Sequence, residues 1–255
     1  IASQQSSKYF GTILHEMYHQ LGAADLYAVH DATVNQDWKG IGKWDIMASG
    51  NYNGNGAWPA LLTSPSIELI GGVRHQDVEL TWLPGTDCVG PVYSFQGFAK
   101  GGNSLKIPIG NDEFIWVEYR SDYGFDSHLP GNGILVLQQD LRAGEIEDNL
   151  VNSHPERAWL KVIEADGEQD MVQGSSEGEA SDLFLDGDKF GAEGITIRNR
   201  DGILVDWTAT VTVENGTQKI EFSSMDCGHI TEFDLPDFGS VLTLGDNIPI
   251  KGSCD

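Results

Sequence analysis

Hydrophobic residues near the start of the chain recur at the spacing of an α-helix. They lie three or four positions apart, at Phe10, Ile13, Leu14, Met17 and Leu21. Gly22 follows directly and favours the unusual backbone with which a helix ends and the chain turns back. The pattern predicts a helix that ends at Gly22. We expect its apolar stripe to be buried against a sheet or a second helix, with the opposite face open to a cleft.

After this helix the hydrophobic pattern changes from helical spacing to alternation. A short helix is predicted near residues 64–70, and residues 31–60, rich in Gly, Asn and Trp, are predicted as irregular loops. Asn215-Gly216 predicts a hairpin turn. Strands are predicted over 92–109, 114–119, 133–138, 159–162, 195–198, 208–213 and 219–222. The chain is therefore expected to be an α+β protein, with one helix near its start and a large β-rich remainder.

The first predicted helix carries candidate metal ligands, because residues 15–25 read His-Glu-Met-Tyr-His-Gln-Leu-Gly-Ala-Ala-Asp. His15 and His19 are four residues apart and project from one helix face, so both imidazoles can reach one metal ion. Glu16 is placed to hold a water molecule without being a ligand itself. Asp25 then supplies a third ligand and leaves the fourth position open. The spacing is that of a zinc hydrolase.

Three nearby residues are further candidates. Met47, within residues 42–50, would form a soft apolar floor below the histidines. Tyr52 would hydrogen-bond the oxyanion of a tetrahedral intermediate; the alternative interpretation, which we slightly favour, is an ordinary loop tyrosine. His30 is an alternative third ligand. We favour Asp25, because a carboxylate oxygen is an acceptable zinc ligand, and interpret His30 as a loop residue.

The zinc motif followed by Met47 resembles the immune inhibitor A family of secreted bacterial metalloproteases. This is a metzincin subgroup whose zinc motif ends in Asp and is followed by a Met-turn. The similarity spans roughly residues 5–223. Further segments match in the same order, namely Asp25-Leu26-Tyr27, Trp44-Asp45-Ile46-Met47-Ala48-Ser49-Gly50, Val117-Glu118-Tyr119-Arg120, Asp126-Ser127-His128-Leu129-Pro130-Gly131-Asn132-Gly133, Asp148-Asn149-Leu150-Val151-Asn152, Glu164-Ala165-Asp166-Gly167 and Asp182-Leu183-Phe184.

The resemblance implies a fold and an activity. The expected fold is α+β and zincin- or metzincin-like, with one active-site helix and a large β-rich C-terminal subdomain. We expect the catalytic domain to cover residues 1–224, with a C-terminal extension over residues 225–255. The implied function is a secreted, zinc-dependent endopeptidase that hydrolyses peptide bonds through a metal-activated water, with Glu16 as general base. A protein or peptide is the expected substrate.

The chain departs from the family before the zinc helix. Metzincin catalytic domains carry a sheet-bearing upper half there, whose edge strand holds the substrate. In this sequence 14 residues precede His15, and no strand pattern fits in them. We therefore expect the upper N-terminal sheet to be missing, either because it is a separate chain after cleavage or because the sequence is incomplete. The alternative functions are one part of a split protease, a non-catalytic structural or binding subunit, and a zinc hydrolase with a non-protein substrate.

Composition excludes some classes of partner. Fifteen Lys and Arg against 39 Asp and Glu give a net charge of −24, which argues against nucleic acid and anionic membranes as partners. An apolar run of about 18 residues is absent from the sequence, so no membrane insertion is expected. A disulfide bond between Cys227 and Cys254 would close a loop near the C-terminus, and the alternative is that these two do not pair. If they pair, Cys88 is either a free thiol or is paired with the missing upstream part.

Acidic residues in the second half suggest calcium, which prefers six to eight oxygen ligands. The alternative is a solvated acidic loop, since neither group has the spacing of the twelve-residue calcium loop. Asn149 and Asn152 would add oxygen ligands if the fold brings them near. The candidate calcium ligands are Asp182, Asp186 and Asp188 around Gly187, and a second group of Glu164, Asp166 and Asp170.

Overall fold

The computed structural model describes residues 8–29, 38–80 and 88–225. The predictions for His30, Cys227 and Cys254 and for nearly all of the C-terminal extension lie outside these residues. The described part is a mixed α+β structure with few helices, as predicted. The α-helices are α1 (Phe10–His19), α2 (Ser64–Leu69) and α3 (Asp170–Gln173).

The described strands form two five-stranded mixed sheets. The first sheet has the order β1-β3-β4-β5-β6, in which β1 and β3 are parallel and the other neighbours are antiparallel. Its strands are β1 (His75–Asp77), β3 (Ser104–Gly110), β4 (Glu113–Arg120), β5 (Gly133–Asp140) and β6 (Leu160–Val162).

The second sheet has the order β2-β10-β9-β7-β8. Only the short pair β7 and β8 is parallel among its described strand pairs. The strands are β2 (Val89–Phe95), β7 (Lys189–Gly191), β8 (Ile195–Thr196), β9 (Trp207–Glu214) and β10 (Thr217–Ser224).

The first sheet lies at the centre of the fold, with a hydrophobic core on each face. Successive side chains of a strand point to opposite faces, and along β4 Ile115 and Val117 join one core while Trp116 joins the other. The core that contains Ile115 also contains Trp207 and Phe222 of the second sheet. The core that contains Trp116 holds the loops next to α1. The first sheet therefore supports the histidine-bearing region on one face and the second sheet on the other.

Several predicted elements are confirmed. Strands β4, β5, β6, β9 and β10 and helix α2 lie where the pattern placed them. Asn215 and Gly216, with φ values of 51° and 78°, form the predicted turn between β9 and β10. The single strand predicted over residues 92–109 is wrong. A turn at residues 98–102 divides it into β2 and β3, which belong to different sheets.

The expected burial of the apolar stripe on α1 is also wrong. Ile13, Met17 and Leu21 are 55%, 58% and 62% exposed, whereas His15 is buried. Helix α1 turns its other side inward, and at Gly11 it lies so close to the backbone of Asn51 that a Cβ atom would be 1.9 Å from that carbonyl oxygen. Helical periodicity identifies two faces of a helix, but the neighbouring elements decide which face is buried.

Two further findings bear on the sequence predictions. Among the described residues, no helix is long and apolar enough to cross a membrane. Cys88 takes part in a disulfide bond. It is therefore not the free thiol that the sequence left open.

Candidate metal centre

His15, His19 and Asp25 come together at the end of α1. The Nε2 atoms of the two histidines are 3.2 Å apart. Asp25 Oδ1 lies 3.0 Å from His15 Nε2 and 3.3 Å from His19 Nε2. The structure thus brings the three predicted ligands into a nearly equilateral triangle of one oxygen and two nitrogen atoms.

The turn after α1 makes this triangle possible. Gly22 has φ +98°, which an L side chain rarely adopts. The Gly22 amide donates to His19 O and the Ala23 amide donates to Tyr18 O, the two bonds of a Schellman motif. The chain therefore reverses within a few residues, and Asp25 returns to the histidine side of the helix.

Both imidazoles are oriented by backbone carbonyl groups. His15 Nδ1 lies 2.8 Å from Ile46 O, and His19 Nδ1 lies 2.8 Å from Ala23 O. A carbonyl oxygen can only accept, so each Nδ1 carries the proton and each Nε2 presents a lone pair to the centre of the triangle. Metal-binding histidines in proteins are held in this way.

Asp25 is held by Asn149 through two hydrogen bonds. The Asn149 amide nitrogen donates to Asp25 Oδ2, and the Asp25 backbone amide donates to Asn149 Oδ1, both at 2.6 Å. Asn149 has φ 58°, in the left-handed region that asparagine tolerates better than most residues. This pairing fixes the carboxylate plane and leaves Oδ1 for the triangle.

The electrostatics of the three groups are complementary. Burial alone would lower the pKa of His15, but hydrogen bonds to Asp25 and Ile46 O and the charge of Asp25 raise it above its ordinary value. Burial alone would raise the pKa of Asp25, but hydrogen bonds from His15 and Asn149 and the nearby histidines hold it below its ordinary value. The site therefore favours a negative carboxylate and a positive charge beside it.

The geometry fits a zinc ion. In a tetrahedral site with ligand distances of about 2.0–2.1 Å, two ligand atoms lie about 3.3 Å apart. The separations here, 3.0–3.3 Å, are close to that value. Asp25 Oδ1 is buried and faces the Nε2 atoms of the two histidines. Two imidazole nitrogens and one carboxylate oxygen are a donor set that zinc accepts.

The loop with Met47 supports the site through its backbone. Ile46 O accepts the hydrogen bond from His15, and Met47 O accepts one from the Leu26 amide at 2.8 Å. Met47 is fully buried in the same core as Ala23 and Ala24. The Ile46 and Met47 carbonyl groups therefore hold both α1 and the segment that carries Asp25.

Asp45 shapes this loop from within. It is completely buried and accepts hydrogen bonds from the Met47 amide, the Thr63 amide and hydroxyl, and the Ser66 hydroxyl, at 2.7–2.8 Å. Burial outweighs these bonds and raises the pKa of Asp45. The carboxylate thereby ties the Met47 loop to the start of α2.

A buried arginine attaches the same loop to the central sheet. Arg120, in β4, donates to Trp44 O at 3.0 Å and to both Asp126 oxygens at 2.9 Å. Asp126 accepts in turn from the Leu61 amide. Because the guanidinium group is buried, losing Asp126 would leave Glu118, 3.3 Å away, as its remaining described counterion. The loop is therefore fixed to a rigid strand.

The remaining predicted catalytic residues lie near the triangle. Glu16 is exposed on α1, and its charge acts on both His15 and Tyr27. Tyr52 is 66% exposed and is one of the residues that raise the pKa of Tyr27. Burial, followed by the charge of Asp25 and a hydrogen bond to it, raises the pKa of Tyr27 to about 12. Tyr27 was not among the predicted site residues, although it stands two positions after Asp25.

The predicted calcium ligands do not all lie in one cluster. Asp182 joins Glu164 and Asp170, and one oxygen of each lies within 4.8 Å of the others. Asp166 is exposed, although its charge reaches Asp182. Asp186 and Asp188 are exposed and accept hydrogen bonds from the Val213 and Leu185 amides. They are not members of this acidic cluster.

Asn149 and Asn152 are not part of the acidic cluster either. Asn149 holds Asp25, as described above. Asn152 is fully buried, donates to Leu26 O and Leu160 O, and accepts from the Leu160 amide. Both asparagines therefore position the segment that carries Asp25, a role that no local sequence signal revealed.

The loop that carries Asn149 also lines a cavity of about 510 Å³. Leu150 and Val151 contribute apolar surface to it, and three basic side chains lie in its wall, namely Arg142, His154 and Arg157. Glu145 lies in the same wall, so the lining carries charges of both signs.

Comparison of the chain with models of protein families, with curated proteins and with solved structures finds no match.

Proposed function

We propose that this chain is a zinc-dependent endopeptidase of the immune inhibitor A type, acting on proteins or peptides in the extracellular space. The observation that carries the proposal is the triangle of His15 Nε2, His19 Nε2 and Asp25 Oδ1, with separations of 3.0–3.3 Å. Glu16 lies beside it on the exposed side of α1. Three protein ligands with a fourth side open are the arrangement of catalytic rather than structural zinc.

Zinc bound at this site would supply Lewis acidity, which lowers the pKa of water and polarises a carbonyl group. Glu16 is the general base: its carboxylate accepts the proton of the attacking water and delivers it to the leaving amine. Asn149 keeps the Asp25 carboxylate in place throughout. We assign Tyr27, whose side chain is hydrogen-bonded to Asp25, and Tyr52 as candidate donors of a hydrogen bond to the developing oxyanion.

The proposal is tested by zinc content and by cleavage of an unfolded protein, measured on the purified chain. Glu16→Gln should keep one zinc per chain and lose turnover by about 10²–10⁴-fold, the usual contribution of a general base. His19→Ala should lose both zinc and turnover. Gln20→Ala is the matched control, since Gln20 is exposed at the end of the same helix.

A chelator completes this experiment. Cleavage that a zinc chelator stops and added zinc restores would agree with the proposal. Near-normal turnover in Glu16→Gln would overturn the assignment of the general base. Wild-type protein that binds no zinc would overturn the metal centre.

A second candidate function is one part of a split protease, and the exposed apolar side of α1 favours it. Ile13 and Met17, on the helix that carries the proposed catalytic residues, and Leu21, just after that helix, are all exposed. Exposed apolar surface of this kind is typical of a protein–protein contact. Cleavage by the isolated, zinc-loaded chain would exclude this function. Stoichiometric zinc binding without cleavage would favour it over the first.

A further inference from the structure

The acidic cluster of Glu164, Asp170 and Asp182 lies apart from the histidine site in the sequence. Glu164 follows β6, Asp170 is the first residue of α3, and Asp182 ends a short 3₁₀ turn. One carboxylate oxygen from each residue lies within 4.8 Å of the others. Three separate segments thus bring negative groups to one place.

Each member of the cluster keeps one oxygen without a hydrogen-bond partner. Glu164 is 4% exposed and Asp182 is fully buried. Glu164 Oε1, Asp170 Oδ1 and Asp182 Oδ1 are all inaccessible to solvent and have no donor among the described residues. Buried polar atoms in proteins are nearly always paired, so three orphaned oxygens in one cluster call for a positive group.

The other oxygens of the two buried carboxylates show how the cluster is held. Glu164 Oε2 accepts from the Asp170 amide at 2.8 Å, and Asp182 Oδ2 accepts from the Glu179 amide at 2.8 Å. These bonds aim the free oxygens at one another. Among the described residues, no lysine, arginine or histidine forms a salt bridge with any of the three.

We propose that Glu164, Asp170 and Asp182 bind a calcium ion. Oxygen-only ligands favour a hard cation over zinc. Calcium binds oxygens at about 2.3–2.6 Å, so two of its ligands are separated by at most about 5 Å, which the cluster satisfies. Magnesium usually keeps several waters, and two largely buried carboxylates suit calcium better.

This ion would brace the loop that supports the histidine site. Asp182 Oδ2 also accepts from the Trp44 indole at 3.3 Å, and the Glu177 carbonyl accepts from the Lys43 amide at 2.7 Å. Trp44 is fully buried and lies two residues before Ile46, whose carbonyl orients His15. Calcium would therefore neutralise the carboxylates beneath Trp44 and stabilise the loop without contacting a substrate.

Terbium luminescence tests the site directly, because Tb³⁺ occupies calcium sites and is excited by a nearby tryptophan. Chelator-treated wild-type protein should give tryptophan-sensitised emission that calcium displaces and magnesium does not. Asp170→Asn should weaken calcium binding roughly tenfold or more, since affinity follows the number of charged ligands. Glu164→Gln combined with Asp182→Asn should abolish it.

The matched control is Asp186→Asn combined with Asp188→Asn, which removes the same charge from a nearby exposed turn. This control should bind calcium like the wild type. Wild-type protein that binds neither terbium nor calcium would overturn the proposal. Equal calcium affinity in Asp170→Asn, in the ligand double variant and in the control would overturn it as well.

The rival explanation is a proton shared between Glu164 and Asp170. In that case calcium would not raise the melting temperature of the wild type, and Glu164→Gln would be at least as stable as the wild type with or without calcium. If the double variant fails to fold, the calcium-dependent melting temperature of the wild type and of Asp170→Asn decides between the two explanations. A calcium-induced rise in the wild type that is much reduced in Asp170→Asn would agree with the proposed site.

Discussion

The two clusters of candidate ligands differ in how their charges are balanced. In the histidine cluster, Asp25 lies against two imidazoles and the pKa of its carboxyl group is held below the ordinary value. In the acidic cluster, burial and neighbouring carboxylates raise the pKa of Glu164 to about 8 and that of Asp182 to about 6. The first cluster pairs its carboxylate with two imidazoles, whereas no Lys, Arg or His side chain forms a salt bridge with the second among the described residues.

This difference teaches what each cluster can do. Neutral nitrogen ligands and one carboxylate suit a borderline metal with an open position, which is the requirement for hydrolysis. Several buried oxygens suit a hard cation that neutralises charge and stabilises structure. The loop from Trp44 to Met47 contacts both clusters, through the Trp44 indole on one side and the Ile46 carbonyl on the other. The proposed catalytic and structural sites therefore share one support.

Asn149→Ala is expected to give the largest difference between the two clusters, because it should change zinc affinity and leave calcium affinity unchanged. This change removes the hydrogen bond to Asp25 Oδ2 and frees the carboxylate to rotate. Loss of such a supporting bond typically weakens metal binding about 10–100-fold. We expect the zinc dissociation constant to rise by this factor, while calcium affinity at the acidic cluster stays unchanged.

Competition with a zinc-binding dye measures the first quantity, and terbium luminescence measures the second. Asn103→Ala is a suitable control, because Asn103 is exposed and far from Asp25 in the sequence. Unchanged zinc affinity in Asn149→Ala would mean that Asp25 is not held as described, or is not a ligand.

The histidine cluster was predictable from sequence because its parts are local. A helix fixes the positions of His15 and His19, and a glycine turn returns Asp25 within six residues of His19, so spacing alone defines the geometry. Asn149 is 124 residues away from Asp25 and reaches it through the tertiary fold. Spacing carries no information about such a contact.

The acidic cluster shows the same limit. Asp182 was grouped with Asp186 and Asp188 because they are neighbours in sequence. The backbone after Asp182 pairs with β5 at Phe184, and the later acidic residues continue into the exposed turn before β7. The α+β class and most strands were predictable, since alternation reports on local backbone. The burial of α1 was not, since it depends on which elements pack beside the helix.

The second largest effect is a dependence of the protein's unfolding free energy on pH, caused by the acidic cluster. The folded-state pKa values of Glu164 and Asp182, about 8 and about 6, are raised above those of the unfolded chain. Their stabilising contribution is therefore present at low pH, when the groups are protonated, and is lost as pH rises through about 6 and then about 8. We expect the calcium-free protein to lose roughly 2 kcal/mol over this range.

Thermal unfolding at a series of pH values, with calcium and with a calcium chelator, checks this expectation. The stabilisation by calcium should grow as pH rises through the same window, because binding requires the ionised carboxylates. The double variant Glu164→Gln with Asp182→Asn should lose this pH dependence. If the rise in melting temperature caused by calcium were the same at every pH, Glu164 and Asp182 would not be the groups that bind it.

The smallest effect is expected from Met47→Leu, which tests how the shared loop acts. Met47 is fully buried, and its amide and carbonyl groups make the observed hydrogen bonds to Asp45 and Leu26. Leucine has a similar volume and keeps both backbone groups, so the loss should be below about 1.5 kcal/mol of unfolding free energy. Zinc affinity, calcium affinity and turnover should all stay within a few-fold of the wild type. A large loss of zinc affinity with an unchanged melting temperature would instead mean that the methionine side chain itself, rather than the backbone it anchors, shapes the metal centre.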